Sequence, residues 1–185
     1  MSDDQESYTF KLPEGATFQD GTPCDAEAVK ASFTRFLDLG GAPVLVIARF
    51  MESADMMEVV DPTTIRFNLG KPQPLFLAAL ASQYGPVVVS PAAMEANKTE
   101  DDPYAHEFFK IEAVGTGPFQ LVSNSLTEGL IFERFAAYHR GWEGNHFDQV
   151  IFRVVPEEAP PCRRRRRASA GSSRPGRSPR DGRAR

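Results

Sequence analysis

Residues 8–23 of the chain read YTFKLPEGATFQDGTP, and this stretch decides the fold. Apolar and polar side chains alternate over its first five residues, which is typical of a half-buried strand. Pro13 ends that strand because proline has no N–H to donate to a ladder. After a second extended run, Asp20 and Gly21 supply a turn, since glycine adopts positive φ without strain. The stretch therefore predicts a strand that leads through a loop into a tight turn.

A helix is predicted directly after this turn, over residues 26–38. Asp25 is a suitable N-cap, and the pair Gly40–Gly41 is typical of a helix end. Apolar residues follow at helical spacing and are expected to be buried, namely Val29, Phe33, Phe36 and Leu37. The helix should therefore cover one face of the sheet that the first strand begins.

The remaining patterns predict more short elements. Strands are expected at 56–60, 64–69, 86–90, 130–135 and 149–155, and helices at 75–81 and 91–97, the last capped by Ser90. The first two of these strands form a hairpin, residues 138–144 a turn, and residues 97–109 a polar surface segment. Residues 43–50 are apolar without a decisive period and fit either a strand or a short helix. The fold class is α+β, with mostly antiparallel strands and short helices.

A second motif, VGTGPFQL, occupies residues 114–121. Gly115 and Gly117 allow backbone angles closed to other residues, so at least one is expected to have a positive φ. Pro118 then marks the entry into a strand. A phosphate-binding loop is rejected because the motif lacks the following Lys-Ser/Thr and precedes a strand.

These motifs resemble those of the extracytoplasmic solute-binding proteins of family 5, the receptors of ABC importers for dipeptides, oligopeptides and nickel. The similarity extends to VDPTTIRFNLGKP at residues 60–72 and FERFAAYHRGWEGNHFDQVIFRVVPE at residues 132–157, and it covers residues 2–158. Cys24 and Phe135 depart from the family pattern.

The resemblance implies a partial family 5 domain at residues 1–158, a fragment of a two-lobed periplasmic-binding-protein fold of the type II, peptide-receptor class. It implies the substrate-binding component of an ABC transporter for peptides or related small solutes, with a membrane permease as partner and no cofactor. Gly115, Thr116 and Gly117 lie where the family's chain passes between lobes, and they are the candidate cleft or hinge residues. The segments upstream of Met1 and the second lobe are expected to be absent, which would leave a one-sided cleft.

An enzyme is the second class of function, and the sequence argues against it. There is no nucleophile elbow, zinc motif or Ser-His-Asp arrangement, and the acid pairs 101–102 and 157–158 lie in polar, solvated segments. His139 and His146 flank a glycine turn, but no third metal ligand is evident. Neither catalytic residues nor a metal are therefore expected. A disulfide between Cys24 and Cys162 remains open as an alternative to two free thiols.

Localisation gives conflicting indications. The family acts in the periplasm or at a membrane anchor outside the cytoplasm. The first seven residues, MSDDQES, form no signal peptide, so the chain as written is expected to be cytoplasmic.

The C-terminal segment, residues 159–185, differs from the rest of the chain. It carries ten arginines and one aspartate, a formal charge of +9 that leaves −13 on the first 158 residues out of −4 overall. Its Arg, Ala, Gly, Ser and Pro composition cannot build a core, so disorder is predicted, with an out-of-frame origin as the interpretation. The alternative is an arginine-rich arm for nucleic acid or an anionic surface. The acidity of residues 1–158 argues against nucleic acid as their partner.

Removing residues 159–185 is expected to leave the melting temperature nearly unchanged at moderate salt. An arginine-rich segment offers little apolar surface to offset an ordering entropy of ~1–2 kcal/mol per residue. Thermal unfolding of the full chain and of residues 1–158 checks this. A large drop in melting temperature on truncation would show that the segment contributes to the fold.

Overall fold

The structure, a computed structural model, describes residues 1–125, 127 and 129–153. The regular elements in chain order are β1 Ser7–Lys11, α1 Ala26–Leu39, α2 Leu45–Ala48, β2 Met57–Asp61, β3 Thr64–Asn68, α3 Phe76–Leu80, α4 Pro91–Asn97, α5 His106–Ile111, β4 Phe119–Ser125, β5 Gly129–Arg134 and β6 Gln149–Phe152. Cys162, the acid pair 157–158 and the boundary at residue 158 lie outside the described residues. So do the segment 159–185 and the end of the strand predicted at 149–155. The predictions made for them remain predictions.

The first sheet is antiparallel and has β3 between β1 and β2. Tyr8 pairs with Phe67 and Phe10 with Ile65 across β1 and β3. Tyr8, Ile65 and Phe67 are all buried. The alternation in the sequence therefore identifies the core face correctly, and both the first strand and the β2–β3 hairpin are confirmed.

Phe67 lies at the centre of the core between this sheet and the helices. Its ring centroid is 5.1 Å from that of Phe33 on α1, 5.4 Å from Phe76 on α3 and 5.5 Å from Phe10 on β1. Tilted and edge-on aromatic pairs contribute about 0.5–1.5 kcal/mol each beyond the area that they bury. One aromatic side chain thus joins α1 and α3 to strands β1 and β3 of the sheet.

The helix α1 begins and ends as predicted. The Asp25 carboxylate accepts a hydrogen bond from the Ala28 backbone N–H at 2.9 Å, and Gly40 has a φ of +66° at the C-terminus. Val29 and Phe33 are buried, but Phe36 and Leu37 are only half-buried against the core. The predicted buried face is therefore wrong in its second half. The small residues Ala26, Ala28 and Ser32 complete the buried stripe instead.

The second sheet is also antiparallel, with β5 between β4 and β6. The strand predicted at 130–135 is confirmed. Of the strand predicted at 149–155, residues 149–152 form β6, and Arg153, the last described residue, lies outside it. The turn between them contains Gly141 with a φ of +67°, and the Trp142 indole N–H donates to the Phe135 carbonyl oxygen at 2.9 Å.

The strand predicted at residues 86–90 does not form. The Ser32 hydroxyl accepts from the Val89 backbone N–H at 3.1 Å, and its single proton is shared between the carbonyl oxygens of Ala28 (2.9 Å) and Val89 (3.1 Å). Because this side chain on α1 pairs with the Val89 N–H and also contacts its carbonyl oxygen, Val89 needs no strand partner, and Val87 is 72% exposed. The helix after it is confirmed, with the Ser90 hydroxyl accepting from the Ala93 N–H at 3.1 Å.

Two segments, one apolar and one polar, contain helices. Residues 42–48 form a 3₁₀ turn followed by α2, which decides between the two alternatives for residues 43–50. The polar segment 97–109 contains the start of α5, which the sequence did not predict. There the Asp102 carboxylate accepts from the backbone N–H groups of His106 (2.8 Å) and Glu107 (2.9 Å).

In the part of the chain that the structure describes, no single helix has the length and apolar character to cross a membrane, although Ala26–Leu39 and Ala42–Ala48, bent by 118°, have both when taken together.

The expectation of a positive φ at Gly115 or Gly117 is wrong. Neither has one, and positive φ occurs at turn and helix-end glycines such as Gly21, Gly40 and Gly129. A Cβ at Gly117 would meet no atom within 4 Å, so neither conformation nor space demands glycine there. Gly129 has a φ of +90°, and a Cβ there would lie 2.0 Å from the Phe152 carbonyl oxygen.

Gly129→Ala is therefore expected to destabilise the protein by about 2 kcal/mol or more, from backbone strain and overlap with β6. Gly117→Ala, the matched control, is expected to be neutral or to stabilise by up to about 1 kcal/mol, because alanine restricts the unfolded chain. Urea unfolding of both variants measures the difference. Equal losses for the two would contradict the assignment.

Candidate functional site

The segment Gly115-Thr116-Gly117 connects α5 to β4 and is the candidate site that the sequence predicts. All three residues are half-buried. The segment lies against the loop that follows β1, at residues 16–23, although 98 positions separate Gln19 from Gly117 in the sequence. The two motifs singled out in the sequence therefore meet in space.

Gln19 joins these motifs through four hydrogen bonds, here named the Gln19 clasp. Its backbone N–H donates to the Gly115 carbonyl oxygen at 2.9 Å, and the Gly115 N–H donates to Gln19 Oε1 at 3.1 Å. Its Nε2 donates to the carbonyl oxygens of Phe119 (2.9 Å) and Gly117 (3.3 Å). Both the oxygen and the NH₂ group of the Gln19 side chain therefore bond to the same segment. The clasp fixes the path of the chain into β4.

Asp20 extends the connection to α4. Its carboxylate accepts from the Thr22 backbone N–H at 2.9 Å, from the Thr22 hydroxyl at 2.6 Å and from the Ser90 hydroxyl. Ser90 is fully buried, caps α4, and donates its backbone N–H to the Val114 carbonyl oxygen at 3.1 Å. The turn at Asp20 thereby holds both the start of α4 and the residue just before Gly115.

The electrostatics of this network favour an ionised Asp20. Burial acts to raise the pKa of the carboxyl, but the hydrogen bonds from Ser90 and Thr22 outweigh it, and the pKa lies below the usual aspartate value. Asp20 is thus a charged acceptor at neutral pH, and its donors stabilise that charge.

Thr116 is the residue of the candidate segment that the clasp leaves open. Within the described part of the chain, neither its hydroxyl nor its backbone N–H makes a hydrogen bond. Gly115 and Gly117, by contrast, are occupied by Gln19. Of the three predicted candidates, the two glycines are thus tied to Gln19, whereas the Thr116 hydroxyl makes no hydrogen bond among the described residues.

His139 and His146, the histidines that flank the glycine turn, each pack on an aromatic ring. His139 packs on Tyr138 with ring centroids 4.7 Å apart, and His146 packs on Trp142 at 4.8 Å. Among residues 1–125, 127 and 129–153, no group of three or more His, Cys, Asp or Glu side chains is placed to hold a metal ion. Burial, and secondarily the charge of Asp25, raises the pKa of the Cys24 thiol, which disfavours the reactive thiolate.

Sequence reasoning missed Gln19 and the link from Ser90 to Val114. The available signal was local: Gln19 is a polar residue between the fully buried Phe18 and the Asp20–Gly21 turn. A polar side chain at the edge of a buried run needs a hydrogen-bond partner. The sequence gives no indication of which distant segment supplies that partner.

The architecture matches that of solute-binding proteins of ABC transporters. The periplasmic oligopeptide-binding protein OppAIV of Borrelia burgdorferi superposes with a TM-score of 0.66 and 25% identity, over 84% of this chain and 32% of that one. The nickel ABC transporter structure from Bacillus halodurans gives a TM-score of 0.58 and 30% identity, over 80% of this chain and 27% of that one. The matched structures are two-lobed binding proteins, as expected. The described residues of this chain correspond to part of that two-lobed fold.

The family follows from the sequence match. The model of the bacterial extracellular solute-binding proteins, family 5 middle, matches residues 1–168, and the chain belongs to this family. The glutathione-binding protein GsiB of Escherichia coli K12 is 36% identical over an alignment of 161 residues, and the alignment covers 85% of this chain and 28% of GsiB. The chain thus spans less than a third of the length of these relatives, which are transport binding proteins.

Asp20→Asn should lower stability by about 1 kcal/mol at neutral pH, because a charge-assisted acceptor becomes a neutral amide. The folded pKa lies below the unfolded value of about 3.9. The carboxylate's contribution is therefore fully present above that value and is lost as pH falls through the folded pKa. Melting temperatures of wild type and variant should differ at about pH 7 and converge as the pH falls below the folded pKa.

Asp101→Asn is the matched control, because Asp101 is an exposed aspartate outside this network. It should change the melting temperature little at any pH. A difference between wild type and Asp20→Asn that does not shrink at low pH would contradict the role given to the ionised carboxylate.

Proposed function

We propose that the protein supplies part of the substrate-binding component of an ABC importer for peptides or related small solutes, and so takes part in transmembrane transport. The observation that carries this proposal is the family 5 match over residues 1–168. The relatives named for glutathione and for oligopeptides favour a peptide-like solute, and the nickel relative shows that the fold also serves other solutes.

The proposed location and partner follow from the family. Its description as extracellular supports activity outside the cytoplasmic membrane, in the periplasm or at a membrane anchor. The partner is then a membrane permease that receives the solute. The −13 charge of residues 1–158 gives no basis for a nucleic-acid partner of that part, and the family match gives no support to binding of nucleic acid or an anionic surface through residues 159–185.

Within this function, we assign Thr116 to the solute-facing surface. Its hydroxyl can donate and accept, and the Gln19 clasp fixes the backbone on either side of it. A binding group held by a rigid frame loses little entropy when the solute arrives. One wall encloses a small ligand poorly, however, and tight sites bury most of the ligand surface. Isolated residues 1–158 are therefore expected to bind peptides only at about millimolar concentration or not detectably.

A chimera tests the proposal. The segment of GsiB that aligns with this chain is replaced by the corresponding residues of this protein, and glutathione and di- and tripeptides are titrated by calorimetry. The folded chimera should bind at least one of these solutes far more tightly than residues 1–158 do. Circular dichroism verifies folding, and a folded chimera that binds none of them would overturn the proposal.

Thr116→Val in the chimera should weaken solute binding about three- to tenfold, because it removes one hydroxyl and keeps the shape. Thr9→Val is the matched control, since Thr9 is exposed on β1 and lies outside the Gln19 clasp. An unchanged affinity for Thr116→Val would remove Thr116 from the binding surface and leave the proposed transport role standing.

A further inference from the structure

A groove separate from the candidate segment runs between the C-terminal half of α1, residues 87–89 and α5. Its volume is about 700 Å³, within the usual range of roughly 300–1,000 Å³ for small-molecule sites. Its walls are mostly apolar and include Phe36, Leu39, Pro43, Val87, Val89 and Phe109. None of Gly115, Thr116 and Gly117 lines it. We call it the Arg35 groove, after the half-buried arginine in its lining.

Arg35 is held in a fixed orientation. Its guanidinium carbon lies 4.8 Å from the centroid of the Phe109 ring, and its Nε donates to the Tyr104 carbonyl oxygen at 3.0 Å. The Tyr104 hydroxyl in turn donates to the Asp38 carboxylate on α1. Stacking on one face and a hydrogen bond at Nε leave the outer edge of the guanidinium, with its two Nη groups, available for a planar acceptor.

The donors on that outer edge have no partner in the described part of the chain. No ion pair within 4.0 Å and no hydrogen bond involves either Nη of Arg35. Asp102 interacts with Arg35 only through its longer-range charge, and its carboxylate is occupied by the N–H groups of α5. Desolvation lowers the pKa of Arg35 despite that neighbour, as expected for a half-buried cation without a close counter-ion.

The other charges around the groove leave this cation uncompensated. Lys110 forms an ion pair with Glu107 on the same helix. His106 and Glu112 are exposed, and Glu112 is the single carboxylate among the described lining residues. An apolar groove with a stacked, half-buried guanidinium at its side has the chemistry of a site for an amphipathic anion.

We propose that the Arg35 groove binds a small carboxylate with an apolar body. The two Nη groups of Arg35 donate to the two carboxylate oxygens, the arrangement in which arginine recognises carboxylates most strongly. The apolar body lies against Leu39, Pro43 and Val87, whose exposed surface it removes from water. This site does not depend on the proposed transport function, because it uses different residues from Thr116.

The test uses 4-methylpentanoate as the probe and 4-methylpentanamide as its uncharged counterpart. Each is titrated into the full chain at pH 7 while backbone amide shifts are followed by NMR. The carboxylate should shift the amides of residues 35–43, 87–89 and 106–113, with a dissociation constant of about 1 mM for so small a ligand. The amide should bind at least about tenfold more weakly, because it lacks the charge. Equal binding of the two probes would overturn the proposal.

Substitutions at three positions locate the site. Arg35→Gln should weaken the carboxylate about tenfold or more. Arg49→Gln, the matched control, removes an exposed arginine that lines a different groove and should leave binding unchanged. Because loss of the Tyr104 contact in Arg35→Gln could disturb the loop before α5, Val87 provides a second variant pair at a position that is 72% exposed.

Val87→Glu places a negative charge on the groove wall and should abolish detectable carboxylate binding, whereas Val87→Lys should preserve or strengthen it. Neither substitution removes a buried contact, so both proteins should fold. Carboxylate binding that is indifferent to the sign of the charge at residue 87, or that survives Arg35→Gln in a folded protein, would overturn the assignment.

Discussion

The arrangement of the two motifs depends on one half-buried amide, that of Gln19. Its carbonyl oxygen and its NH₂ group both bond to the Gly115–Phe119 segment, and its backbone N–H adds a further bond. An amide group left buried without a partner costs about 1–3 kcal/mol. The loop after β1 and the entry to β4 therefore cannot separate without unpairing several groups at once. Through this constraint, the first sheet fixes the position at which the second begins.

The local parts of the fold were predictable because local physics determines them. Alternation placed Tyr8, Ile65 and Phe67 on the core face, and capping chemistry identified both ends of α1. The failures involve partners that are distant in sequence. The Ser32 hydroxyl on α1 accepts from the Val89 N–H and shares its proton between the carbonyl oxygens of Ala28 and Val89, so an apolar stretch typical of a strand stays irregular. No pattern within a window of ten residues carries that information.

The candidate site was predictable as a segment but not as a set of roles. Glycines at 115 and 117 suggested special backbone angles, yet neither has a positive φ and both are held by Gln19 instead. The proposed binding residue is instead Thr116. A glycine motif read from sequence alone gives no reason to single out this threonine. The match to GsiB covers 28% of that relative, so it relates the chain to one part of GsiB.

Arg35 shows how a structural residue can also create a binding surface. A lysine at this position could neither stack as a plane on Phe109 nor donate sideways to the Tyr104 carbonyl while still presenting two parallel donors. The stacking and the Nε bond order the long side chain when the protein folds, so a ligand need not immobilise it. Asp102 lowers the cost of burying the charge through its longer-range field alone, because its carboxylate accepts from the N–H groups of α5 and does not occupy the outer edge of the guanidinium. The interactions that tie α5 to α1 are thus the same ones that prepare the groove for an anion.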